Sequence, residues 1–184
     1  MDPPIRKRMH RREEIGRSRF ITFSCHGRLP LLSNDGICQK LLEAIDRSRQ
    51  EHGFKLFAWA IMPEHVHLLL RPAEGAPLDR ALKSMKLSVA KAVIARWREL
   101  KAPILERIVD SDGSPQFWLP GGGFDRNVRS LREFTRHVRY IHRNPVERGL
   151  VARAEDWRWS SVAWWIGERE GEFPCDPPPG RAEK

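Results

Sequence analysis

The chain has 184 residues, 40% of them hydrophobic, which suffices for one ordinary core and makes a single domain with tails the default reading. Its 33 Lys and Arg against 24 Asp and Glu leave a formal net charge of +9 and a sequence pI near 10.1. That balance favours a polyanionic partner, nucleic acid first and an anionic membrane surface second. Apolar runs such as Leu68 to Leu70 are far too short to span a bilayer, and Met1 to Arg12 is basic without an apolar signal core. The expectation is a soluble cytoplasmic protein with no membrane partner.

In chain order, Arg6, Lys7, Arg8, Arg11 and Arg12 make residues 1–18 a basic N-terminal arm, suited to a phosphate backbone. From Arg19 to His26, Phe20, Thr22 and Ser24 alternate with Ile21, Phe23 and Cys25, the period of a first strand. Asn34 or Asp35 can cap a helix whose Ile37, Leu41, Leu42 and Ile45 recur at helical spacing up to Gly53. Leu56 to Met62 and His65 to Arg71 are apolar runs around Pro63-Glu64, read as an antiparallel hairpin of two central strands. A second helix follows Pro77, with Leu82, Met85, Val89 and Val93 on its apolar face and Lys83, Lys86 and Lys91 elsewhere. Residues 101–128 read as irregular around a short Phe117 to Leu119 strand, and Gly121-Gly122-Gly123 permits close backbone approach.

Ser130 and Glu133 have the pattern of a capping box opening a third helix, which Pro145 is expected to end near Asn144. At about 100° per residue, Leu131, Phe134, Val138 and Ile141 form its core-facing stripe, and Arg132, Arg136, Arg139 and Arg143 another. Between them lie His137, Tyr140 and Asn144, the last two one turn apart. Trp157, Trp159, Trp164 and Trp165 are expected to cover the core. The domain is therefore read as 19–167, with 168–184 a disordered proline-rich tail. Cys25, Cys38 and Cys175, odd in number and widely spaced, read as reduced thiols rather than a zinc or redox pair.

Two features carry chemistry. His65 and His67 stand two apart in a strand, so the pleat sends both imidazoles to one face, where they suit a divalent ion. H-x-H is weak by itself, since an ordinary exposed pair has the same spacing. The other five histidines supply no second His-x-Ser/Thr motif, which discounts a two-histidine phosphoesterase. The second feature is charge. Residues 126–153 hold eight Arg against Glu133 and Glu147, so +6 of the chain's +9 lies here, making Arg126, Arg129, Arg132, Arg136, Arg139 and Arg143 candidate DNA-binding residues. Tyr140 is the chain's one tyrosine, so any phenol chemistry falls to it.

These residues resemble a known family, the single-tyrosine HUH transposases (IS200-like), and within them the REP-associated tyrosine transposases. The likeness spans about Arg19 to Ser161. It rests on Trp59-Ala60-Ile61-Met62-Pro63-Glu64-His65-Val66-His67-Leu68-Leu69-Leu70, on Phe117-Trp118 with Phe124-Asp125-Arg126, and on Tyr140-Ile141-His142-Arg143-Asn144-Pro145-Val146-Glu147-Arg148-Gly149-Leu150. Trp157, Trp159, Ser160 and Ser161 resemble the family's usual ending. The resemblance implies an α+β fold, a ferredoxin-like antiparallel sheet with helices on one face. It also implies cleavage of single-stranded DNA beside a REP-like hairpin through a 5′-phosphotyrosine. On that reading Tyr140 is the nucleophile, His65 and His67 are metal ligands, and Asn144 completes the metal site. The ion is expected to be Mg2+ or Mn2+, although histidine ligation by itself leans towards manganese or zinc. Monomer and homodimer both stay open. The competing reading is a hairpin-binding regulator that does not cut; an RNA-binding sheet would instead need exposed strand aromatics, for which Phe57 and Trp59 are the candidates.

Overall fold

A computed structural model describes residues 17–121, 123–167 and 173–179, so all but the last two residues of the basic arm lie outside it. Strands β1 (Ser18–Ser24), β2 (Lys55–Ile61), β3 (His65–Arg71) and β4 (Phe124–Val128) form one sheet in the order β2-β3-β1-β4. Every neighbouring pair is antiparallel. Helix α1 (Asp35–His52) joins β1 to β2, and α2 (Leu78–Glu99) joins β3 to β4, which gives the βαββαβ chain order of a ferredoxin-like fold. Helix α3 (Leu131–Glu147) and the short α4 (Val162–Trp165) follow. Among the described residues no helix is long and apolar enough to cross a membrane.

Strand alternation divides the core in two. Ile21, Phe23, Val66, Leu68 and Leu70 face α1 and α2, where Leu41, Ile45, Met85 and Val89 meet them. Phe20, Ala60 and Leu69 face the other way and are covered by Phe134, Val138 and Ile141 of α3. The two connecting helices thus share one face as the resemblance implies, while α3 occupies the opposite face. A bulge in β2 between Leu56 and Ala58 turns both Phe57 and Ala58 towards α3. The helix ends follow their capping residues: Asn34 Oδ1 accepts from Ile37 N–H at 3.2 Å, and Gly53 closes α1 in the left-handed region at φ 66°.

Several expectations need correction. β2 is an edge strand rather than a central one, but the C-terminal segment covers that edge. Ile61 N–H donates to Trp159 O, Ser161 N–H to Trp59 O, and Asp176 N–H to Leu56 O. The proline-rich stretch expected to be a disordered tail is therefore docked in part: Phe173 and Cys175 are buried, and Asp176 takes Leu56 N–H and Arg49 on its carboxylate. β4 falls within the stretch read as irregular. Its inward position 125 is a carboxylate, whose burial is compensated by Arg19 of β1 at 2.9 Å. Pro145 does not end α3, because in the last turn it removes one backbone bond while Arg148 N–H still reaches Asn144 O and Leu150 N–H reaches Pro145 O. Leu131, placed by angle on the core stripe, is 65% exposed, since the helix meets the sheet only from Phe134 onwards. Phe57 and Trp59 are buried, so neither of the two strand aromatics that an RNA-stacking platform would use is exposed.

Candidate active site

One cleft on the α3 face, about 660 Å³, collects most of the singled-out residues. β3 contributes His65 and His67, β1 contributes Phe20 and Thr22, and α3 contributes His137, Tyr140 and Asn144. The two imidazoles point at a common spot, with Nε2 of His65 2.9 Å from Nε2 of His67. Tyr140 stands over them, its ring 5.3 Å from His67 and edge-on to Phe20 at 5.7 Å. It is 42% exposed, so the phenol is supported by rings on one side and open to the cleft.

The outer nitrogens explain how the rings are held. His65 Nδ1 faces Glu64 Oε1 at 3.1 Å, and a carboxylate can only accept, so the ring carries its proton on Nδ1 and keeps a lone pair on Nε2. Arg148, just past the end of α3, donates to the same Oε1 at 2.7 Å. His67 Nδ1 lies 2.8 Å from Thr22 Oγ1, a hydroxyl able to accept or donate as the tautomer changes. Gly123 packs behind this residue: at φ 68° a Cβ there would collide with Thr22 O, so this glycine serves close approach, whereas Gly121 stands in open space.

Burial pulls the His67 pKa down to about 3, with the neighbouring His65 adding to the shift. Burial also lowers His65, against the pull of Glu64. For Glu64 burial acts upward, but His65 and Arg148 outweigh it and hold the carboxyl below its ordinary range. Both histidines are therefore neutral at neutral pH, the state that ligates a cation. Asn144 Oδ1 is buried without a well-aligned hydrogen-bond partner, and the side chain is close enough to His67 to favour its charged form. Two imidazole nitrogens 2.9 Å apart and an orphaned amide oxygen fit a divalent ion. Among the described residues no group of three or more His, Cys, Asp or Glu could hold one, so an ion here would leave coordination positions to water or substrate oxygen.

The arginines separate. Arg126 and Arg136 line the cleft, joined by Arg28 and Arg148, which composition did not single out. Arg132 and Arg139 border a neighbouring surface with Ser130 and Thr135, which Arg136 also lines, and Arg129 and Arg143 are exposed outside both. Part of this charge is already matched: Glu133 lies 3.0 Å from Arg126 and 3.6 Å from Arg136, and Glu147 lies 3.7 Å from Arg143. His137 stacks on Phe20 at 4.5 Å, and His142 is buried on Ser161 Oγ at 2.9 Å, a bond that ties α3 to the segment covering β2. Glu64, Thr22 and Arg148 are the residues sequence reasoning passed over. The signal for Glu64 was its position beside His65, and for Arg148 its place one turn beyond Asn144.

Residues 19–109 match the family described as Transposase IS200 like. A REP-associated tyrosine transposase of Escherichia coli strain K12 is 29% identical over 138 residues, covering 75% of this chain and 71% of that protein. The structure of a REP-associated tyrosine transposase bound to a REP hairpin superposes with a TM-score of 0.68 at 23% identity, over 97% of this chain and 94% of that one, a likeness of fold. The chain thus resembles the IS200-like transposase family over residues 19–109, and the likeness to a named transposase over 75% of its length supports an enzyme of the transposase class.

Proposed function

We propose that the chain is a divalent-metal-dependent nuclease and strand transferase acting in the cytoplasm on single-stranded DNA beside a REP-like hairpin. The observation that carries this reading is the position of Tyr140, half-open to the cleft and 5.3 Å from the ring of His67. The hydroxyl oxygen of Tyr140 attacks the scissile phosphorus, an O–P bond forms, and the P–O3′ bond breaks. The phenol proton is lost and the leaving oxygen gains one to become a 3′-hydroxyl. The DNA keeps its 5′ phosphate as a phosphotyrosine, and attack by a 3′-hydroxyl reverses the step and rejoins strands. His65, His67 and Asn144 would hold Mg2+ or Mn2+, which supplies Lewis-acid polarisation of the phosphate. Arg126, Arg136, Arg28 and Arg148 offset phosphate charge around the attack line.

Tyr140→Phe tests the assignment, because it removes one hydroxyl and keeps the ring that packs on Phe20. Labelled single-stranded hairpin DNA is incubated with Mn2+ or Mg2+, denatured, and examined for label migrating with protein. Wild type should form the adduct and the variant should form none; with no second tyrosine in the chain, no other phenol can substitute. Cutting by the variant at the same bond and comparable rate would assign the nucleophile to water or another side chain. Tight binding without cutting by wild type would favour the non-catalytic regulator.

A further inference from the structure

The lysines of α2 lie on the face of the sheet opposite Tyr140, and the cleft makes no use of them. They border a second groove of about 710 Å³, between α2 and residues 114–121. Lys83, Lys91 and Arg98 are exposed along its rim and, among the described residues, make no ion pair; one acid, Asp79, stands at its end. From residue 83 to residue 98 the rim runs 15 residues of helix, about 22 Å at about 1.5 Å per residue. Lys86 spreads over the rings of Phe23 and Trp118 at 5.5 and 6.0 Å and closes the floor. Leu87 and Leu119 face the groove 46% and 45% exposed, apolar surfaces between cations. This contrasts with the cleft side, where Glu133 and Glu147 already sit against Arg126, Arg136 and Arg143.

The groove and the cleft adjoin around the β4 edge. Phe23 lines the groove and Thr22 the cleft, from opposite faces of β1. The chain from Leu119, held by Ser24 O, passes Gly121 of the groove and reaches Phe124 of the cleft within five residues. A strand leaving the cleft over this rim meets a row of cations with apolar contacts between them. That combination suits a single-stranded nucleic acid, with phosphates on the cations and base faces on the leucines.

We propose that the α2 groove is a docking track for the unpaired DNA that flanks the hairpin. It rests on the function proposed above, and the test separates the two. Lys83→Gln, Lys91→Gln and Arg98→Gln are combined in the full chain; all three side chains are exposed, so the fold should be retained. Binding is measured against salt for a hairpin alone, for the hairpin with a 5′ or a 3′ single-stranded extension, and with polyglutamate as competitor. Wild type should bind one extended substrate more tightly than the bare hairpin. The triple variant should lose that gain, with the salt slope falling by about 2, three contacts at about 0.7 each, while the bare hairpin is bound as before. The groove assignment is overturned if the variant keeps the gain, if wild type shows none, or if polyglutamate displaces the extension at equal charge. Loss of hairpin binding by wild type itself would remove the proposed function along with it.

Discussion

Glu64→Ala should weaken divalent-metal binding although Glu64 is not proposed as a ligand. In the structure its Oε1 takes both His65 Nδ1 and Arg148 Nη2, at 3.1 and 2.7 Å. Without that acceptor the His65 proton is free to move to Nε2, the nitrogen that faces His67 and would be needed for an ion. Loss of such an outer partner typically costs about 10- to 100-fold in metal affinity, or roughly 1.4 to 2.7 kcal/mol at about 1.36 kcal/mol per decade. The Arg148 contact adds little beyond positioning, because that guanidinium is half exposed and screened. Glu64→Gln keeps a carbonyl acceptor and should lose less than tenfold, roughly the lower bound of that range. Calorimetric titration with Mn2+ gives the affinities, and ¹⁵N spectra of the metal-free chain give the His65 tautomer independently of any cleavage. If the alanine variant binds Mn2+ as tightly as wild type and its His65 remains Nδ1-protonated, then Glu64 does not hold the ring.

His67→Ala should abolish metal-dependent cleavage and leave most hairpin binding, because the arginines that line the cleft are untouched; normal cleavage by the variant, read on a denaturing gel, would dismiss the proposed metal site. Burial lowers His142 to about 4, below the roughly 6.5 of an unfolded histidine. The unfolded chain then binds the extra proton first, and stability present above pH ~6.5 is lost as pH falls towards the folded value, by about 2 kcal/mol between pH ~7 and ~5. Urea melts should show a shallower acid loss in His142→Gln, and an equal loss would mean that the histidine does not report on folding. Neutralising Arg132, Arg136 and Arg139 should lower the salt slope of DNA binding by about 0.7 for each phosphate contact removed, with Arg136 contributing least because Glu133 already lies 3.6 Å from it; an unchanged slope would make the stripe an ordinary solvated face.

What could be read in advance follows the range of the interactions. Strand and helix periods in β1, β3, α1 and α2 depend on near neighbours, and each lies where alternation or capping residues put it. β4 was illegible because Phe124-Asp125-Arg126-Asn127-Val128 has a charge at the centre of its inward face, and the compensating Arg19 is 106 residues away. The docked C-terminal segment was illegible for a related reason: prolines and a lone Phe173 look like a tail until β2 proves to be an edge with unpaired backbone groups. At the site, H-x-H spacing placed the two imidazoles on one face, and helical spacing placed Tyr140 with Asn144. Period arguments do not supply the distance between strand and helix, which brings α3 over His67, nor the carboxylate turned back onto His65.

That distance is set mostly by apolar packing. Phe134, Val138 and Ile141 seat α3 on Phe20, Phe57 and Leu69, and His142 on Ser161 fixes the same helix to the β2 edge, where Ser161 Oγ also takes Trp59 N–H at 2.9 Å. Tyr140 and Asn144 are carried on the flank of this helix, and Arg148 follows at its end, so one rigid element positions the phenol, the amide oxygen and the clamp on Glu64. β3 supplies the facing pair of imidazoles from an interior position in the sheet, between β2 and β1. A shift of α3 along its axis would therefore move all three groups together relative to His65 and His67. The proposed chemistry is thus most sensitive to the α3–sheet interface, so substitutions at Val138 or Ser161, neither of which touches the cleft, should act on it through the placement of Tyr140.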